Sequence, residues 1–215
     1  FVEGIDALDL ADIEYGRELG YVIKLLAIAQ RRDDGLCLRV RPAFISTEHP
    51  LSWVSGPFNA VSVYARAVGH TMYYGRGAGG MPTASAVVSD LVSLALGTAG
   101  RRFAALPLWP DRAEPAAQLP VEAVRSRYYI RIIAEDRPGV LAQVASVFGR
   151  HEISIRSVLQ HEAPPGAEGV PVVITTSRAV EGDLRNALAE VDALAPIRPG
   201  SVCIGIVDEP DEAVE

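Results

Sequence analysis

Lysine is nearly missing from this sequence. Of its 20 basic residues all but Lys24 are arginine, so chemistry that needs an ammonium side chain has one candidate. Cysteine is almost as scarce. Cys37 and Cys203 stand far apart, each within an alternating apolar run, and no Cys-x-x-Cys pair occurs. This predicts two buried, reduced thiols in a cytoplasmic protein and no disulfide framework. The four histidines (His49, His70, His151 and His161) follow no metal-ligand spacing. No apolar run is long enough to span a membrane. Excess positive charge is also missing: the formal net charge is −7, which argues against a nucleic-acid partner. The opening Phe-Val-Glu-Gly-Ile is neither a signal nor a transit peptide and lacks an initiator Met, so the chain is expected to be a piece of a longer one.

What is present suits a globular fold. The 215 residues are 49% hydrophobic and 22% charged, enough for one large or two small domains. Asp9-Leu-Ala-Asp12 has the form of a capping box, followed by Leu10, Ile13, Tyr15 and Leu19 at helical spacing up to Gly20. Tyr21 to Ala29 is almost wholly apolar and by itself fits either helix or buried strand. Gly20 before it, and the turn Arg31-Arg32-Asp33-Asp34-Gly35 into an alternating run from Leu36 to Arg41, favour a hairpin. Alternation returns at Asn59–Tyr64 and Thr71–Tyr74. A glycine cluster then leads to a helix over Pro82–Leu96, closed by Gly97. From Gly97 to Arg127 prolines at 107, 110, 115 and 120 interrupt any period, and the stretch reads as a linker.

The remainder has a regular rhythm. Strands are expected at Tyr128–Ala134, Ile153–His161, Val170–Thr176 and Val202–Val207, with helices at Val140–Arg150 and Glu181–Leu194 and a Pro/Gly loop at Glu162–Gly169. The order βαββαβ predicts a four-stranded antiparallel sheet with both helices on one face, a ferredoxin-like architecture. Between its first strand and first helix lies Asp136-Arg137-Pro138-Gly139-Val140-Leu141, and Ile153-Ser154-Ile155 opens the second strand. In this frame the combination resembles ACT domains, which bind amino acids and other small effectors. The resemblance makes Asp136, Arg137, Pro138, Gly139, Val140, Leu141, Ile153 and Ser154 the candidate effector-binding residues. Gly139 would let backbone amides approach a carboxylate, and Asp136 would receive an ammonium. The plainer alternative is that Asp136 and Gly139 only make a turn, and that the module serves dimerisation. Glu152 departs from the pattern, since ACT domains often carry Gly or Asn there.

Three collinear blocks carry a second resemblance. They are Val2-Glu3-Gly4-Ile5 with Glu18-Leu19-Gly20-Tyr21-Val22-Ile23-Lys24; His49-Pro50-Leu51 through Phe58-Asn59-Ala60-Val61; and Tyr74-Gly75-Arg76-Gly77-Ala78-Gly79-Gly80-Met81-Pro82-Thr83-Ala84-Ser85. Together, and followed by the ACT module, they resemble homoserine dehydrogenase. That family interconverts aspartate semialdehyde and homoserine with NADP or NAD, on the route to threonine, methionine and isoleucine. Its full chain opens with a Gly-x-Gly-x-x-Gly fold that these residues do not contain, because the cluster at Gly75–Gly80 has the wrong spacing. Its substrate-handling acid and lysine are also expected upstream. Asp6 mimics that acid without a lysine following it, and Lys24 is read as a strand residue that keeps its head in water. No catalytic residue is therefore assigned. The third block implies cofactor proximity for Gly75, Gly77, Ala78, Gly79, Gly80 and Thr83. Read from the residues alone, it is a helix-initiating turn. Asn59 is expected to satisfy buried backbone groups.

The fold expected is α+β: a mixed or antiparallel sheet with helices (a partial substrate and dimerisation domain, 1–97), a linker (98–127), a ferredoxin-like ACT domain (128–209) and a tail (210–215). The function expected is part of a homoserine dehydrogenase with an allosteric amino-acid site, threonine being the family-based effector. The full-length enzyme would be a homo-oligomer, dimer or tetramer, with NADP or NAD as cofactor. The 215 residues alone would bind none and be inactive. The alternative is a non-catalytic amino-acid sensor or dimerisation module.

Overall fold

The computed structural model describes residues 1–6, 8–106, 115–161 and 169–208. The expected loop residues 162–168, the prolines at 107 and 110 and the tail lie outside them. Two compact units emerge, Phe1–Ser52 with Gln118–Glu209, and Trp53–Ala117. They cut across the division expected from sequence, because the N-terminal hairpin joins the sheet of the C-terminal module.

In the first unit, helix α1 (Leu10–Glu18) starts where the sequence puts it. Asp9 caps it, its carboxylate accepting from the Ala11 N–H at 3.1 Å. Asp12 does other work than the capping box suggested, as described below. Strands β1 (Tyr21–Arg32) and β2 (Gly35–Ser46) form an antiparallel hairpin in register from Tyr21↔Ser46 to Arg32↔Gly35. Both run further than the alternation alone indicated. The βαββαβ module follows: β5 (Arg125–Ala134), α4 (Val140–Arg150), β6 (Ile155–Gln160), β7 (Val170–Thr176), a two-residue strand β8 (Ala179–Val180), α5 (Glu181–Asp192) and β9 (Ile197–Val207).

One face of β5 and β7 packs under α4 and α5. Tyr128, Ile130, Ile132, Val172 and Ile174 meet Val144, Val147, Phe148, Leu184 and Val191 in one buried cluster. The alternate residues Tyr129, Val173, Ile204 and Ile206 form a second core with Phe44, and Tyr15 and Leu19 of the α1 region pack against it. Each strand thus feeds two layers by its two-residue period.

The expected four-stranded antiparallel sheet is present as β9-β5-β7-β6, and the N-terminal hairpin extends it. β2 pairs in parallel with β9, Ala43↔Gly205 through Ile45↔Val207, giving the order β1-β2-β9-β5-β7-β6. The reason is visible in β2 itself. Ala43, Phe44 and Ile45 are all buried, as a strand covered on both faces requires. The Phe44 ring sits 5.0 Å from that of Tyr129.

The second unit holds the hairpin β3 (Phe58–Ala65) and β4 (Gly69–Arg76), then α2 (Gly80–Ala95) and α3 (Thr98–Ala105). Helix α3 occupies the start of the expected linker. Gly97, at φ 67°, supplies the left-handed residue that separates it from α2. Neither helix contains a buried residue, and Val87, Val88, Leu91 and Leu94 of α2 are each more than half exposed. Among the described residues no single helix is long and apolar enough to cross a membrane.

Candidate functional site

The glycine-rich loop is held by its own hairpin. Asn59 pairs with Gly75 across β3 and β4, and the Gly77 N–H donates to the Pro57 carbonyl at 3.0 Å. Gly79 is the N-cap of α2 at φ 119°, ψ 150°, a conformation open essentially to glycine alone. A Cβ on Gly77 would lie 1.8 Å from the Asn59 amide nitrogen, whereas Gly75 and Gly80 have nothing within 4 Å. Thr83 bonds the same turn, its hydroxyl donating to the Gly79 carbonyl at 2.9 Å. All six candidate residues are exposed and close in sequence, with Gly75 near the end of β4, Gly77, Ala78 and Gly79 in the connection, and Gly80 and Thr83 in the first turn of α2. Asn59 is exposed and packs on Gly77; it does not satisfy the buried backbone groups expected of it.

The Asp136–Gly139 loop is also exposed throughout. Gly139 caps α4 at φ 89° and supplies no side-chain cap to the first amides of the helix. Arg137 folds back on Glu135, Nε to the carboxylate at 2.6 Å. Leu141 is 42% exposed. Ser154 is exposed, and its carbonyl accepts from Ser177 at 2.8 Å. Val140 and Ile153 differ from the rest: at 2% and 5% exposure both lie in the helix-side core. Their side chains pack inward there and fix the backbone on either side of α4.

Glu152 has a backbone explanation. It is the one non-glycine residue with positive φ among the described residues, at 56°. The Glu152 N–H donates to Gly149 and the Ile153 N–H to Phe148, at 3.2 and 2.9 Å, the paired bonds of a helix-ending left-handed turn. Gly or Asn suits this place for its conformation, independently of any ligand.

Two buried polar clusters in the first unit escaped the sequence reading. Asp12, fully buried, takes Arg131 Nε at 2.6 Å and Nη2 at 3.0 Å, and the Tyr129 hydroxyl at 2.9 Å. The hydrogen bond to Asp12 raises the Arg131 pKa. Burial, then the Asp12 charge, pushes the Tyr129 phenol up. The second cluster centres on Glu181 at the start of α5. Arg41 reaches both its oxygens at 2.9 Å, Arg185 one of them at 2.6 Å, and the Tyr128 hydroxyl lies at 3.4 Å. The available signal was an apolar strand, β2, that keeps Arg39 and Arg41 on one side.

The comparisons with known proteins agree with this architecture. Residues 1–92 match the family model for homoserine dehydrogenase, and residues 128–193 that for the ACT domain. The homoserine dehydrogenase of Pseudomonas aeruginosa is 43% identical over 197 residues, covering 90% of this chain and 45% of the relative. That of Neisseria gonorrhoeae is 39% identical over 197 residues, with the same coverage. The crystal structure of a homoserine dehydrogenase from Thiobacillus denitrificans superposes with a TM-score of 0.85 at 39% identity, over 96% of this chain and 47% of that one. The chain thus spans about half the length of the relatives it matches. On these grounds residues 1–92 belong to the homoserine dehydrogenase family and residues 128–193 form an ACT domain.

Proposed function

We propose that this chain is the substrate-domain and regulatory part of a homoserine dehydrogenase, an NAD(P)-dependent cytoplasmic oxidoreductase that interconverts aspartate semialdehyde and homoserine in threonine and methionine biosynthesis. The observation that carries this reading is the succession of the two family matches in one chain. In functional terms we keep the modules 1–97 and 128–209, joined by 98–127, although the compact units divide otherwise.

The glycine turn fits one wall of a nicotinamide site. Gly75, Gly77, Ala78, Gly79 and Gly80 offer a surface nearly free of side chains, and Thr83 pins the Gly79 carbonyl so the turn keeps its shape. NADP or NAD, when bound, supplies the hydride. These residues would admit a flat ring and orient it, while phosphate binding and proton handling fall to groups outside these 215 residues. The chain alone is therefore expected to give no turnover of homoserine with NAD or NADP. Turnover by the purified 215-residue chain would overturn the reading.

The exposed loop at Asp136–Gly139 is the proposed effector site, taking an amino-acid carboxylate on the first amides of α4 and its ammonium on Asp136. Threonine is the proposed effector. Calorimetry with threonine, against isoleucine, methionine and lysine, is expected to give selective binding that Gly139→Leu abolishes. Binding of none of them assigns the module to assembly alone. A homodimer or tetramer is proposed as the working state, since Leu25 on the edge strand β1 is 58% exposed.

A further inference from the structure

Where β2, β5, β9 and the start of α5 meet, a cavity of about 10 Å³ is walled in part by Arg39, Arg41, Ser126, Tyr128 and Glu181. Its polar walls hold guanidinium N–H groups without partners. Arg41 is shared between Glu181, at 2.9 Å, and Glu3, at 3.0 Å. Arg185 takes the same Glu181. Arg39 takes neither carboxylate: it is 9% exposed, its Nη1 is buried without a hydrogen-bond partner, and the Nε of Arg41 is equally unpartnered. Arg185 also has the Glu122 carboxylate nearby, so among the described residues Arg39 is the guanidinium of this group left without a carboxylate partner.

The neighbouring groups do not supply the missing negative charge. Burial, with Glu181 beside it, keeps the Tyr128 phenol protonated well above its ordinary range, and burial raises the Cys203 thiol to about 12. Arg39 cannot remove its unpaired charge by neutralising itself. Burial, and then the nearby Arg41, lower its pKa, but guanidinium starts so high that it stays charged. A buried, unpaired ion is among the costliest groups a fold can hold.

We propose that this cavity is a site for one monatomic anion, chloride under ordinary conditions, with the unpartnered N–H groups of Arg39 and Arg41 as donors. The size of the cavity selects the class. It admits about one water-sized sphere, which excludes phosphate, sulfate and carboxylates, while a halide needs only slight yielding of two flexible guanidinium arms. A single water would satisfy the donors and leave the charge uncompensated. The site lies at the seam between β2 of the N-terminal segment and the strands and helix of the ACT module, so the anion would complete the joint between them.

The test is thermal and chemical unfolding of the 215-residue chain in sodium chloride against sodium gluconate at equal ionic strength. Chloride is expected to raise the folded-to-unfolded ratio saturably, by about tenfold at ten times its dissociation constant, and gluconate not to. Arg39→Gln should lose the chloride-specific part and be no less stable than the unaltered chain in gluconate, because it removes an unpaired charge. Arg156→Gln, at an exposed position, should keep the chloride effect. Crystals soaked in bromide should show an anomalous peak in the cavity. Equal stability in the two salts, a chloride effect that survives Arg39→Gln, or a cavity without bromide overturns the proposal. If Arg39→Gln does not fold, the salt comparison and the bromide map on the unaltered chain decide it.

Discussion

At the scale of single residues, Asp12 and Glu152 make the sharpest predictions. Asp12 is buried with two bonds from Arg131 and one from Tyr129. Asp12→Ala leaves a largely buried guanidinium and a buried hydroxyl without their acceptor. It should destabilise the chain by about 3–5 kcal/mol, read as a fall in urea midpoint. Adding Arg131→Met should recover part of that loss, since it removes a charge left with only the exposed Asp9, at 3.6 Å. Glu152 gives the opposite sign. Glu152→Gly relieves the Cβ strain of a left-handed residue and should stabilise by about 1 kcal/mol. Glu152→Ala, which keeps the Cβ, should gain far less. Equal gains from the two would place the effect in the carboxylate and not in the backbone.

At the scale of elements, two helical glycines show how packing overrides propensity. Gly149 in α4 has open space around its missing Cβ, so Gly149→Ala should add about 0.5–1 kcal/mol by helix propensity. Gly16 in α1 would place a Cβ 2.1 Å from the ring of Phe44. That ring is itself fully buried and has nowhere to move. There the overpacking cost of about 1–3 kcal/mol exceeds the same propensity gain, and Gly16→Ala should lower the denaturation midpoint. The elements of the βαββαβ module were readable because each carries one apolar face at its own period. Helix α4 begins and ends at the residues named from sequence. Helix α3 was hidden because Gly97, Gly100 and two arginines mask a helix of only 8 residues. In the candidate sites, the glycines at positive φ were legible as glycines. The side chains of Val140 and Ile153 face inward, as their apolar spacing already indicated. Asp12 was ambiguous for a different reason: an acid three residues past a cap looks the same whether it bonds its own helix or a distant arginine.

At the scale of the whole molecule, the phenols and the thiol set an alkaline limit. Tyr128 and Tyr129 are held above the ordinary 10.0, and Cys203 is moved from 9.0 to about 12. The unfolded chain releases these protons first, so above pH 9 it binds fewer protons than the folded chain and unfolding becomes easier. The urea midpoint is therefore expected to fall progressively above pH 9, first through the thiol and then through the phenols. A midpoint unchanged across that range would mean the groups are more hydrated than their burial indicates.

The parallel pairing of β2 with β9 also dictates a waiting time. Ala43 and its partner Gly205 are roughly 160 residues apart, a stretch that a ribosome makes in about 8–30 s at ordinary speeds. Throughout that interval the apolar end of the first hairpin, Ala43 to Ile45, has no strand to cover it. Newly made chains therefore pass through a stage with an open, sticky sheet edge, and the yield of native protein should depend on how fast translation carries β9 into place.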